Sequence, residues 1–188
     1  MTLLLVGLAL FPGIHLLPVF TGVRDALSGA LGEKRYKTGF SLVSALGLVL
    51  IVVGYARAPA QPQLFAPSIG AIHAAPLVML ASFVLLASAN MRNRIRRVVR
   101  HPMLVGVLLW AGVHLLANGE LRATLLFGAF LAWAAIDLAS AIRRRAVKPF
   151  VPVARQDLIA LVAGVGLALL VMTFHRQLFG VAVVPWGL

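Results

Sequence analysis

The sequence contains no cysteine. That excludes disulfides, thiolate metal sites and cysteine-ligated iron–sulfur clusters. Acidic residues are nearly as scarce, with five Asp and Glu against 17 Lys and Arg. Long polar connections are missing too, so no stretch between apolar segments could fold as a separate domain. The whole chain, 1–188, therefore reads as one domain.

What is present is apolar, since 61% of the residues are hydrophobic. No soluble globular domain has this balance, and it reads as a polytopic membrane protein. The formal charge of +12 could point to nucleic acid. The basic residues, however, sit in short clusters between apolar runs, which is what membrane topology demands. Nucleic acid is rejected as a partner, and the lipid bilayer takes its place.

Six apolar segments follow in order: Leu3–Phe20, Gly39–Ala56, Ser68–Ala89, Met103–Ala117, Leu121–Ala141 and Leu158–Phe174. The expected fold is all-α, with six transmembrane helices in one bundle. The fourth segment is short for a hydrocarbon core of about 30 Å, so it should take in Pro102 at its first turn and Asn118 at its end. The longest connection, Thr21–Thr38, has room for a short surface helix. Segment one lacks a basic n-region and a small-x-small cleavage site, so it is expected to stay as a helix rather than leave as a signal peptide.

Loop charge predicts orientation. Connections one, three and five hold four, five and five of the 17 basic residues, leaving Arg57, Arg122 and Arg176 on the other side. The positive-inside rule places those connections in the cytoplasm and both termini on the non-cytoplasmic side. A role for the clusters in binding anionic lipid or phosphate is the lesser reading. Asp137 is expected to pair with Arg143–Arg145. Ala160, Gly164 and Ala168 form a small-residue stripe for close helix approach. His175 and Trp186 read as interfacial residues.

The most conspicuous stretch is Arg100-His101-Pro102, running on through Gly106, Trp110, His114 and Asn118-Gly119. Gly106, Trp110 and His114 fall four apart and share a helical face. An ionisable side chain within a membrane is a functional hypothesis by default, because desolvation is costly. His15 stands similarly in segment one, bracketed by Pro12 and Pro18, and His73 lies near Pro76 in segment three. For a lone histidine the ordinary explanation is a hydrogen bond to a helix carbonyl. Two on different helices suit the axial positions of a haem better than zinc, which would need further ligands. Gly7, Gly106 and Gly112 would leave room for a flat macrocycle. His101 with His15 is an alternative pair.

The segment RHPMLVGVLLWAGVHLLANGELRATLLFGAF resembles the central signature of the NnrU family of membrane proteins. LLLVGLALFPGIHLLPVF and IHAAPLVMLASFVLLA resemble that family's first and third helices. The resemblance implies a multi-pass protein of the bacterial cytoplasmic (inner) membrane, linked to denitrification and its nitrite and nitric oxide reductases. The plant relative, 15-cis-zeta-carotene isomerase, carries haem b and isomerises a polyene in the membrane. Carried over, His15 and His114 would be the metal ligands, with His101, Trp110 and Asn118 also in the cofactor-binding set. Catalytic residues are not assigned. The plant enzyme has a cysteine where this chain has Ala111, which puts isomerase activity in doubt. The partners implied are a hydrophobic polyene or redox proteins of denitrification.

Two other classes stay open. Arg100-His101-Pro102 with Gly106 and Asn118 also resembles the isoprenylcysteine carboxyl methyltransferase motif, which helps bind S-adenosylmethionine, although Leu158–Thr173 lacks that family's acidic and aromatic contacts. A non-enzymatic membrane assembly factor is the third class.

Overall fold

A computed structural model of the chain describes residues 1–147 and 149–187; Lys148, one of the basic residues of the fifth connection, lies outside them. Its described residues form helices α1 (Thr2–His15), α2 (Thr21–Leu31), α3 (Glu33–Arg57), α4 (Ile69–Ser88), α5 (Arg94–Val99), α6 (Pro102–Ala117), α7 (Leu121–Arg143), α8 (Ala154–Thr173) and α9 (His175–Phe179). α1, with the short 3-10 turn that follows it, and α3, α4, α7 and α8 are each long and apolar enough to cross a membrane, and α6 is a shorter apolar helix. The all-α membrane architecture expected from the apolar runs is what the chain adopts. At about 1.5 Å per residue, the 16 residues of α6 reach only about 24 Å.

The helices group into two compact units. One comprises residues 1–66 and 118–144, the other 67–117 and 145–188.

In the first unit α1 lies against α3 and α7. The contact between α1 and α3 is backbone on backbone. A Cβ on Gly54 would fall 2.3 Å from the Leu4 nitrogen, one on Gly47 2.8 Å from the Phe11 nitrogen, and one on Gly7 2.6 Å from the Ile51 nitrogen. Membrane helices have no hydrophobic force drawing them together, so such close approach supplies the attraction through dispersion and packing. Leu4, Ile51 and Ala58 are buried around this seam, with Phe11, Leu126 and Phe130 packed against them. Outward residues such as Leu42, Val49 and Val52 are exposed and apolar, as a lipid-facing side requires.

α1 ends at His15, where the Leu16 N–H bonds to the Pro12 and Gly13 carbonyls, and Pro18 sits in the 3-10 turn that follows. α2 is the expected surface helix. Val23, Leu27 and Leu31 form an exposed apolar stripe at four-residue spacing, the layout of a helix lying in a membrane interface. Gly32 joins α2 to α3 at φ 79°, a backbone region that side-chain-bearing residues rarely enter. Beyond α3 the chain crosses the start of α7. Leu64 N–H bonds to the Gly119 carbonyl at 2.6 Å and Leu121 N–H to the Pro62 carbonyl at 3.0 Å. A Cβ at Gly119 would sit 1.8 Å from the Phe65 oxygen, so this crossing admits only glycine. Arg122 fastens it from below, bonding to Glu120 at 2.8 Å and the Ala58 carbonyl at 3.1 Å, with its guanidinium over the Tyr55 ring. Asp137 pairs with Arg144 at 3.9 Å, as expected.

In the second unit α4 is the centre and packs on α6 and α8. The Ala160–Gly164–Ala168 stripe is buried as expected, and a Cβ on Gly164 would meet the Val84 backbone at 2.5 Å. On the other side Ser82 donates to the Gly106 carbonyl at 2.8 Å. Ser68 caps α4 and Asn93 caps α5, each through its side-chain oxygen. The start of α8 is tied to the α4–α5 connection: Val153 N–H donates to the Arg92 carbonyl, Arg94 N–H to Asp157, and Arg92 N–H to the Gln156 side chain.

Gly54 and Gly128 provide a matched test of the seam, because nothing lies within 4 Å of a Cβ at Gly128. Gly54→Ala should destabilise the detergent-solubilised protein by about 1–3 kcal/mol, the usual overpacking range. Gly128→Ala should stay within about 0.5 kcal/mol of the parent. Chemical unfolding followed by circular dichroism reads both, and equal effects would refute the backbone seam.

Candidate functional site

Two imidazoles inside the apolar helices share one local geometry. In the first unit, His15 Nδ1 lies 2.7 Å from the Phe11 carbonyl oxygen. In the second, His114 Nδ1 lies 2.8 Å from the Trp110 carbonyl oxygen. Both bonds run to the residue four positions earlier, one helical turn back. A carbonyl oxygen only accepts, so Nδ1 carries the proton and the lone pair of the neutral ring stays on Nε2. Metal-ligating histidines are oriented this way, by an N–H on the far nitrogen held by a carbonyl. Each ring also packs on the aromatic residue four positions before it, Phe11 at 4.3 Å and Trp110 at 5.7 Å between centroids.

His15 is half-buried within its unit. Besides Phe11 it meets Phe40 of α3 at 5.1 Å and Trp133 of α7 at 5.7 Å, both edge-on. α1, α3 and α7 thus each supply an aromatic wall around this imidazole. Trp133 is buried at 7% exposure, and its indole N–H has no hydrogen-bond partner among the described residues. A buried unpaired donor costs about 1–3 kcal/mol, so this atom marks a place where an acceptor would be stabilised. Trp133 escaped the sequence reading. Its signal was the spacing Phe127, Phe130, Trp133, which sets three large rings on one face of α7.

In the second unit Trp110 and His114 are brought together on α6, as their four-residue spacing required. His101 is not with them. It stands just before α6, half-buried, and thirteen residues of rise put it about 20 Å from His114 along the helix. His175, read from sequence only as interfacial, sets its Nδ1 2.7 Å from the Val181 carbonyl. Asn118 is half-buried and falls in the first unit, beside the Gly119 crossing. Among the described residues, no group of three or more His, Asp or Glu side chains is placed to hold a metal ion.

At two of its three glycines, one expectation is overturned. Gly7 and Gly106 do not leave open space for a macrocycle. Gly7 is filled by the α3 backbone, and a Cβ on Gly106 would meet the Ser82 carbonyl and the Leu86 side chain at 3.1 Å. These glycines serve helix approach, and the space they free is taken by the neighbouring helix.

The Arg100-His101-Pro102 motif makes a strained turn. Arg100 has φ 65° and ψ −49°, and the His101 N–H reaches back to the Val99 carbonyl at 2.7 Å. This is a γ-turn of the rare kind, which costs a side-chain-bearing residue about 1–3 kcal/mol. It reverses the chain between α5 and α6, and Pro102 then opens α6 with its fixed φ.

A family model described as NnrU protein matches residues 3–183. The chain belongs to the NnrU family. No curated protein and no solved structure matches it. The histidine-bearing α1 and α6 of this NnrU-family protein both lie inside the matched span.

Nitrogen-15 NMR of histidine-labelled protein in micelles checks the shared geometry. His15 and His114 should carry their directly bonded proton on Nδ1, the reverse of the tautomer that free histidine prefers. A proton on Nε2 in either ring would remove the ligand-ready arrangement.

Proposed function

We propose that this NnrU-family membrane protein binds haem b, which His15 and His114 would hold through their imidazoles. The observation that carries the reading is the matched Nδ1–H to carbonyl bond on both imidazoles, which directs each Nε2 lone pair outward from its own helix turn. The pairing of these two histidines rests on the family resemblance, and each ring is oriented within its own unit. The donor chemistry fits: neutral imidazoles in an apolar helical surround are what a low-spin haem iron accepts. The protein's part is to ligate, to exclude water with Phe11, Phe40 and Trp133 around one ring, and to offer the indole N–H of Trp133 to an acceptor. Bound haem would supply one-electron chemistry or a site for a small diatomic ligand.

Of the two roles implied by the resemblance, the one linked to denitrification in the bacterial inner membrane is favoured over polyene isomerisation. Ala111 is fully buried on α6, so no thiol stands there to exchange with a histidine at the iron. The methyltransferase reading gains nothing: the one carboxylate near the start of α8, Asp157, already accepts from Arg94 N–H and faces its guanidinium.

Absorption spectra of detergent-purified protein, oxidised and dithionite-reduced, test the proposal. With ample haem during expression, a Soret band with sharp reduced α and β bands is expected. His15→Ala and His114→Ala should each lose or shift those bands while circular dichroism stays helical. A colourless, folded parent protein would overturn the haem reading.

A further inference from the structure

The five carboxylates of the chain are all engaged close to home. Asp25 meets Arg24, Glu33 meets Lys37, Glu120 meets Arg122, Asp137 meets Arg144 and Asp157 meets Arg94, each within 4 Å. The excess of +12 therefore finds no Asp or Glu left unengaged among the described residues. In the second unit part of that excess is gathered on α5 and its C-cap, where Arg97 and Arg100 are exposed and, among the described residues, have no carboxylate within 4 Å.

Beside Arg97, three residues before Arg100, is a cleft of about 380 Å³, lined by Arg97, Val147, Pro149, Phe150, Val151 and Pro152. One wall is cationic and the other apolar. The apolar wall is held in place, because the Arg96 guanidinium sits 5.2 Å above the Phe150 ring and Val153 is bonded to Arg92. Val98 and Val151 stay 79% and 72% exposed, although both lie at the end of the unit where membrane-spanning helices begin and finish.

We propose that this cleft is a binding site for an anionic phospholipid, its phosphate against Arg97 and Arg100 and the upper part of an acyl chain along Val147, Phe150 and Val151. Charge complementarity names the headgroup: a phosphate is the anion the unpaired guanidiniums lack. The apolar wall selects the lipid over free phosphate, which would gain nothing from valine and proline. A purely topogenic cluster needs charge alone and no cleft. The inference is independent of haem.

The test uses full-length protein, delipidated and returned to nanodiscs of phosphatidylglycerol and phosphatidylcholine, with bound lipid counted by native mass spectrometry. Parent protein should retain phosphatidylglycerol selectively. The double variant Arg97→Gln with Arg100→Gln should lose that preference by roughly thirty-fold, while Arg176→Gln, at the opposite end of the unit, keeps it. Millimolar inorganic phosphate should not compete. Should the double variant misfold, a photoactivatable phosphatidylglycerol applied to the parent should label peptides carrying Phe150. Equal retention of both lipids, an unchanged double variant, competition by phosphate, or labelling elsewhere would each overturn the site.

Discussion

Contact between helix backbones at glycine is the interaction on which each unit depends. In lipid the side chains of α1 or α8 gain nothing by leaving an apolar solvent for an apolar interior, so the attraction must come from dispersion at close range and from a few hydrogen bonds. Gly7, Gly47 and Gly54 allow α1 onto α3; Gly164 allows α8 onto α4; Gly106, with Ser82 donating to its carbonyl, allows α6 onto α4. The same contact settles what these glycines cannot do. The space they free belongs to the adjoining helix.

Polar chemistry inside the helices is correspondingly sparse and local. His15 and His114 each satisfy Nδ1 on a carbonyl of their own helix turn. Trp133, in contrast, has a buried donor with no partner among the described residues. At the helix ends the few carboxylates are used up by neighbouring cations, and the remaining guanidiniums face outward. A membrane protein with so little negative charge must draw its counter-charge from its surroundings.

The large features were legible from composition and pattern. The apolar runs predicted the long helices to within a few residues, because in lipid a helix is the one way to satisfy every backbone group within a segment. The Ala160–Gly164–Ala168 stripe and the Asp137–Arg144 pair were readable for a simpler reason: partners three to seven residues apart on one helix have fixed relations. Trp110 and His114 shared a face on the same ground. The glycine cradle was misread, since spacing reveals a missing side chain and says nothing of what enters the gap. Trp133 was passed over because its ring meets His15 from a distant part of the chain.

The sequence alone determined that this chain is a helical membrane protein, and its Arg100–Phe130 stretch and histidine pattern were enough to suggest the family. Period and hydrophobicity are local properties, and the bilayer turns them directly into helices. Tertiary structure decided which faces meet, that Gly119 must be glycine because Phe65 crosses it, that α3 and α7 wall the His15 ring, and that Arg97 and two prolines far from it in sequence line one cleft. Those outcomes depend on helix rotation and on which segments become neighbours, and both are set by packing across the unit rather than by any one segment.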